Sequence, residues 1–209
     1  VCDYITASPA PIPGSGANYE HQLRNGLLAD DPTAMARTYL ADVQDEAQQT
    51  HYGDFGLVIS CLRTDRLDAL AAALHAALPH ATLAGHAEAD MTNVLHYLTY
   101  SPSYGYRPHS YDARQALSSL LPAAQQTAVL ACLDDAVVWR GATEACWIGP
   151  HDWQFAHIDT AAGHYAAVSM FVPQSIYTTQ AARCWYGDLN QAFQSTAWYA
   201  ACGFSSTGW

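Results

Sequence analysis

Apolar positions recur with helical spacing over most of the first two thirds of the chain. Asp31 is placed to cap a helix, with Pro32 at its first position. Met35, Tyr39 and Val43 then repeat every four residues, and Leu40 and Ala47 widen the stripe. Asp42, Gln44, Asp45 and Glu46 fill the opposite side. This spacing predicts an amphipathic helix ending near Gln49. A shorter helix is expected over 17–29. Phe55 to Leu62 is a compact apolar run with β-branched residues, the pattern of a buried strand. Leu67, Leu70, Ala71, Leu74 and Leu78 form a third helical face, with Pro79 beyond its end. Residues 81–84 read as a short strand, and Asp90 as the cap of a helix carrying Met91, Val94, Leu95 and Leu98. Two more helices follow, one capped by Ser110 and one opened by Pro122.

After Gly141 the period changes from helical to alternating. Ala145–Ile148, Trp153–Asp159 and His164–Val172 read as strands, and Thr160-Ala161-Ala162-Gly163 suits a four-residue hairpin connection. Asp188 caps a last helix that Gly203 stops. The whole predicts an α+β fold: a single helix-rich domain with a small, mainly antiparallel sheet. That sheet is built from a C-terminal hairpin and an earlier strand near residues 55–62. Residues 1–16, rich in Pro, Gly and Ser, read as an extended arm, and 17–209 as one globular α+β domain.

Composition narrows the function classes. Half of the residues are apolar and 13% are charged, so the chain can bury a core. The net charge is −11, and all eight cations are arginine; the chain is lysine-free. Such a surface is poorly suited to nucleic acid or to an anionic membrane, and suits a basic protein partner. No run approaches the ~20 apolar residues of a spanning helix. No Walker loop, His-Glu-x-x-His, EF-hand or Gly-x-Ser-x-Gly motif is present.

Six cysteines stand at 2, 61, 132, 146, 184 and 202, without Cys-x-x-Cys spacing. Cys61 and Cys132 lie in apolar patterns and read as buried thiols. Cys184 and Cys202 flank the last helix and could pair in an oxidising compartment. Cys2 ahead of the Pro-rich stretch could serve as a tether, although Val1 is a poor residue to precede a lipidated cysteine.

One constellation carries chemistry. On a strand, His157 and Asp159 share a face, and a turn at 160–163 would set Asp159 opposite His164, about 5 Å apart at Cβ. His157, Asp159 and His164 could then hold a divalent transition metal, or an acid–base site. In the second version Cys146 or Cys184 is the nucleophile, His164 its base, and Asp159 orients that base. A one-residue slip of the hairpin would dissolve the cluster. A second feature is an aromatic loop, with Tyr100, Tyr104, Tyr106, Arg107 and His109 as the binding residues, since tyrosine and arginine favour recognition surfaces.

Three readings follow. The sequence favours a soluble, acidic binding or accessory protein of bacterial type: an inhibitor, an immunity-type protein or an enzyme-partner subunit, cytoplasmic and engaging a basic protein through the aromatic loop. The alternative is a small metal-dependent or Cys/His hydrolase using the 153–172 hairpin. The third is an extracytoplasmic ligand-binding protein tethered by its N-terminal arm.

Overall fold

The computed structural model describes residues 2–12, 16–49, 55–83, 89–98, 110–149, 154–178 and 189–209. Its elements confirm the α+β class, but the strands pair differently from expectation. Strand β1 (Tyr4–Ala7) lies inside the stretch expected as an arm. A short helix α1 (Tyr19–His21) runs into a π-helical turn, Gln22–Leu27. Helix α2 (Ala34–Gln49) matches the predicted amphipathic helix. It is preceded by a turn in which the Asp31 carboxylate accepts from the Thr33 backbone N–H at 2.8 Å. Strand β2 (Val58–Arg63) is followed by a 3₁₀ turn and helix α3 (Leu67–Ala77).

Beyond α3 the local signals were partly misleading. Residues 81–83 form a turn, not a strand. Asp90 accepts from the Thr92 N–H at 3.0 Å and caps a turn rather than a helix. Strands β3 (His96–Leu98) and β4 (Ser110–Asp112) lead into helix α4 (Ala113–Leu120). Its cap is Asp112, which accepts from the N–H groups of Arg114 and Gln115, not Ser110. Helix α5 (Ala123–Ala136) starts after Pro122 as expected. Strands β5 (Val137–Ala142), β6 (Ala145–Gly149), β7 (Gln154–His157) and β8 (Ser169–Met170) come next. Helices α6 (Leu189–Gln194) and α7 (Ala197–Ala201) close the chain, and Gly203, at φ 70°, stops α7 in the left-handed conformation that glycine adopts freely.

Among the described residues the strands form three antiparallel sheets: β1-β2-β5, β3-β4-β8 and β6-β7. The expected hairpin is therefore absent. β7 pairs back onto β6, with Ala145 opposite His157, while β8 pairs with β4. The early strand β2 joins β1 and β5 instead.

The main core is helical. Leu70 and Leu74 of α3, Leu117 and Leu120 of α4, and Val129 and Leu133 of α5 pack together with Phe204 and Trp209. Each such buried side chain contributes roughly 1.5–3 kcal/mol relative to exposure. A second cluster joins the first and third sheet regions through Val58, Tyr97, Cys146, Ile148 and Ile158. A third seats α2 on β2 through Ala36, Val43, Leu57 and Ile59. Just before β2, Gly56 allows the chain to approach the start of β6: at φ 64°, a Cβ there would stand 1.9 Å from the Ala145 carbonyl oxygen.

Candidate functional site

The start of α4 organises the polar centre of the molecule. Asp112 is wholly buried, and its carboxylate collects five donors. Oδ2 accepts from the Tyr97 hydroxyl at 2.6 Å and from the N–H groups of Ala166 and Ala167 at 2.8 and 3.2 Å. Oδ1 accepts from the N–H groups of Arg114 and Gln115, both at 3.1 Å. Burial pushes the Asp112 carboxyl up, and these donors oppose it. The same cluster raises the Tyr97 hydroxyl, first by burial and then through Asp112. Ala167 sits at φ 55°, a conformation that a β-carbon disfavours. It is held there by its own bond to Asp112 and by Ser60, whose hydroxyl donates to its carbonyl at 2.8 Å.

Above this centre lie two adjoining clefts. One, of about 470 Å³, is lined by Asp90, Arg114, Ser118, Ser119 and His164. The other, of about 550 Å³, is lined by His96, Gln154, His157 and Asp159. Gln115 borders both. Its side chain accepts from the Leu95 N–H at 2.7 Å and donates to the His164 carbonyl at 2.9 Å.

Asp159 and His164 do meet, as the spacing predicted. His164 Nδ1 lies 2.5 Å from Asp159 Oδ2. The contact is made by a local turn, not by a strand ladder. Asp159 also accepts from the Ala161 N–H at 3.0 Å, and the His164 N–H donates to the Ala161 carbonyl at 3.1 Å. The Asp159 carboxyl is held below the usual carboxylate range by the Ala161 N–H and then by His164. Both side chains are exposed, so the pair is a weak surface contact in energetic terms.

The third member of the proposed triad does not join them. His157 is exposed on β7, which pairs with β6, and no group of three His, Cys, Asp or Glu side chains among the described residues could hold a metal ion. The metal-binding expectation for His157, Asp159 and His164 is corrected on that ground.

Three of the five described thiols, Cys61, Cys146 and Cys202, are not poised as nucleophiles. Cys146 is fully buried on β6, and burial pushes its thiol up to about 12. Its Sγ contacts the Trp147 carbonyl at 3.5 Å rather than His164. Cys202 is buried and free, and burial likewise pushes its thiol up to about 12. Cys61 is raised by burial and donates to the Pro32 carbonyl at 3.3 Å. A thiol raised by burial is the opposite of an activated one. Cys184 and the aromatic-loop residues Tyr100, Tyr104, Tyr106, Arg107 and His109 lie outside the described residues.

Sequence reasoning missed Asp112 as a hub. Its one local signal was the helix cap; the partners at 97 and 166–167 are distant in sequence. No helix among the described residues is long and apolar enough to cross a membrane.

No protein-family model and no curated protein matches the chain. Solved structures do. A B. fragilis cysteine protease superposes with a TM-score of 0.77 at 20% identity, over 99% of this chain and 80% of that one. An inactive zymogen C11 protease from Parabacteroides distasonis gives 0.72 at 20% identity, over 96% of this chain and 51% of that one. A secreted C11 cysteine protease from Bacteroides thetaiotaomicron, solved with an irreversible peptide inhibitor, gives 0.72 at 21% identity, over 98% and 53%. The chain thus spans only about half the length of the last two. These matches overturn the reading of a non-catalytic acidic accessory protein, which rested on charge and on missing motifs. From end to end, the chain has a fold shared with solved C11 cysteine proteases.

Proposed function

We propose that this chain forms part of a cysteine peptidase of the C11 type. The single observation that carries the reading is a superposition that takes in nearly the whole chain, at TM-scores of 0.72 to 0.77, on structures of such enzymes. The chemistry is peptide-bond hydrolysis through a thiolate that attacks the carbonyl carbon and a base that accepts the thiol proton. Burial excludes Cys61, Cys146 and Cys202 as that thiolate and leaves Cys2, Cys132 and Cys184 of this chain, or a thiol beyond it, to supply the nucleophile. The secreted neighbour supports an extracytoplasmic working place in preference to the cytoplasmic one that composition suggested.

The test is cleavage of a fluorogenic peptide library by the complete gene product. Activity abolished by iodoacetamide and unaffected by chelators is the expected result. Peptide cleavage that survives thiol alkylation, or none with any library member, would reject the reading.

A further inference from the structure

Strand β7 pairs with β6 on one side and, among the described residues, with no strand on the other. The ladder fixes which backbone groups face the open side. The Ile158 N–H donates to the Glu144 carbonyl at 2.8 Å, so Ile158 bonds inward. Hydrogen-bonded and non-hydrogen-bonded pairs alternate along an antiparallel ladder. Ala156, opposite Cys146, is therefore inward as well. His157, opposite Ala145, and Phe155, opposite Trp147, turn their N–H and C=O groups outward. These two residues stand about 6.8 Å apart, one repeat of an extended strand. Natural edges are usually blunted by lysine, proline or a bulge. Gln154-Phe155-Ala156-His157 contains neither residue, and the register shift of its ladder lies at the Gln154 end.

The open side is a cleft rather than bulk solvent. All four β7 residues line the space of about 550 Å³ described above, and Thr92 to His96 form its far wall. Helix α4 holds that wall. The Gln115 side chain accepts from the Leu95 N–H at 2.7 Å, and the Asp112 N–H donates to the Leu95 carbonyl at 2.7 Å. The Leu95 backbone is thus engaged, and β7 is the side that can bond a strand. Phe155 is 43% exposed and sets an apolar ring beside the outward groups.

The charge of the cleft selects the occupant. Among the described residues no lysine or arginine lines it, and Asp159 does. The Ala161 N–H holds that carboxyl in its ionised form. Asp90 lines the adjoining cleft and is likewise lowered, by Thr92. The one arginine there, Arg114, is bonded to Asp134. We propose that β7 and Asp159 form a docking site for an extended peptide that carries a lysine or arginine. The peptide adds as a strand, its N–H and C=O groups bonding those of Phe155 and His157. Its cationic side chain meets Asp159, two residues beyond His157, and the aliphatic stems of flanking side chains pack on the Phe155 ring. No cysteine lines the cleft among the described residues, so the peptide is held there and not cut. The site goes beyond the peptidase reading and does not depend on it.

The probe is a capped, fluorescein-labelled heptapeptide of alternating valine and lysine. It is titrated into the full chain after iodoacetamide treatment, so that no accessible thiol can cleave it. Anisotropy should report one-to-one binding, at least about tenfold weaker when norleucine replaces lysine. N-methylation of one alternate set of peptide amides should abolish binding, and methylation of the other set should leave it. Amide exchange at Phe155 and His157 should slow at least tenfold on binding, with Ala156 and Ile158 as inward references. Asp159→Asn keeps an acceptor for the Ala161 N–H. It should weaken the lysine peptide at least tenfold, leave the norleucine peptide unchanged, and keep the melting temperature. No binding would overturn the proposal. So would Phe155 and His157 amides already protected without peptide, binding that leaves them unprotected, equal effects of the two methylation sets, or a glutamate peptide that binds as tightly as the lysine one.

Discussion

Asp112→Asn tests the polar centre most sharply. The amide keeps the shape and replaces one oxygen with a donor. If the NH₂ takes the Oδ2 place, it faces the N–H groups of Ala166 and Ala167; the Tyr97 hydroxyl can turn to accept from it. If it takes the Oδ1 place, it faces the N–H groups of Arg114 and Gln115 and the helix loses its cap. Either orientation orphans two backbone donors in the interior. Each orphan costs about 1–3 kcal/mol. Removing a buried charge returns part of this. The net loss should be about 3 kcal/mol, a large share of the roughly 5–15 kcal/mol that holds a domain together. With a urea slope near ~2 kcal/mol/M, the midpoint should fall by about 1.5 M. Tyr97→Phe, which removes one donor, should lose about 1–2 kcal/mol. A loss below about 1 kcal/mol for Asp112→Asn would refute the view that the five donors act on one ionised carboxylate.

Other expectations follow from individual contacts. Gly56→Ala should destabilise by at least ~2 kcal/mol in urea unfolding, because the new Cβ meets the Ala145 carbonyl at 1.9 Å and the residue needs φ 64°. Burial alone would raise the Asp134 carboxyl, but hydrogen bonds from Arg114 and Arg140 outweigh it and hold it below its ordinary 3.8. Its contribution is therefore present above that pH and lost as pH falls through the folded value, so Asp134→Asn should flatten the stability profile on the acid side. Burial lowers His96, so stability gained above its ordinary 6.5 should fade as pH drops below it, and His96→Gln should remove that slope.

How much of this was legible in the sequence depends on the range of the contacts. Helices α2, α3 and α5 are written in local periodicity, and the structure has all three. The Asp159–His164 contact was also local enough to foresee, since five residues and one turn contain it. The hairpin was not, because alternation shows that strands exist without naming their partners. The segment Tyr165–Ala167 is buried and tied to Asp112 and Ser60, which takes it out of any ladder with β7. β1 was hidden by the prolines that follow it; its strand is fixed by β2, more than fifty residues away. Charge and missing motifs pointed to an accessory protein. Neither reports on fold, and the fold is what corrected them.

The most direct test of the central claim is to label the complete gene product with a thiol-directed peptide acyloxymethyl ketone and locate the modified cysteine by mass spectrometry. The account predicts one labelled thiol, with Cys61, Cys146 and Cys202 untouched in the native protein. Labelling of any of those three, or no labelling of a correctly folded product, would contradict it.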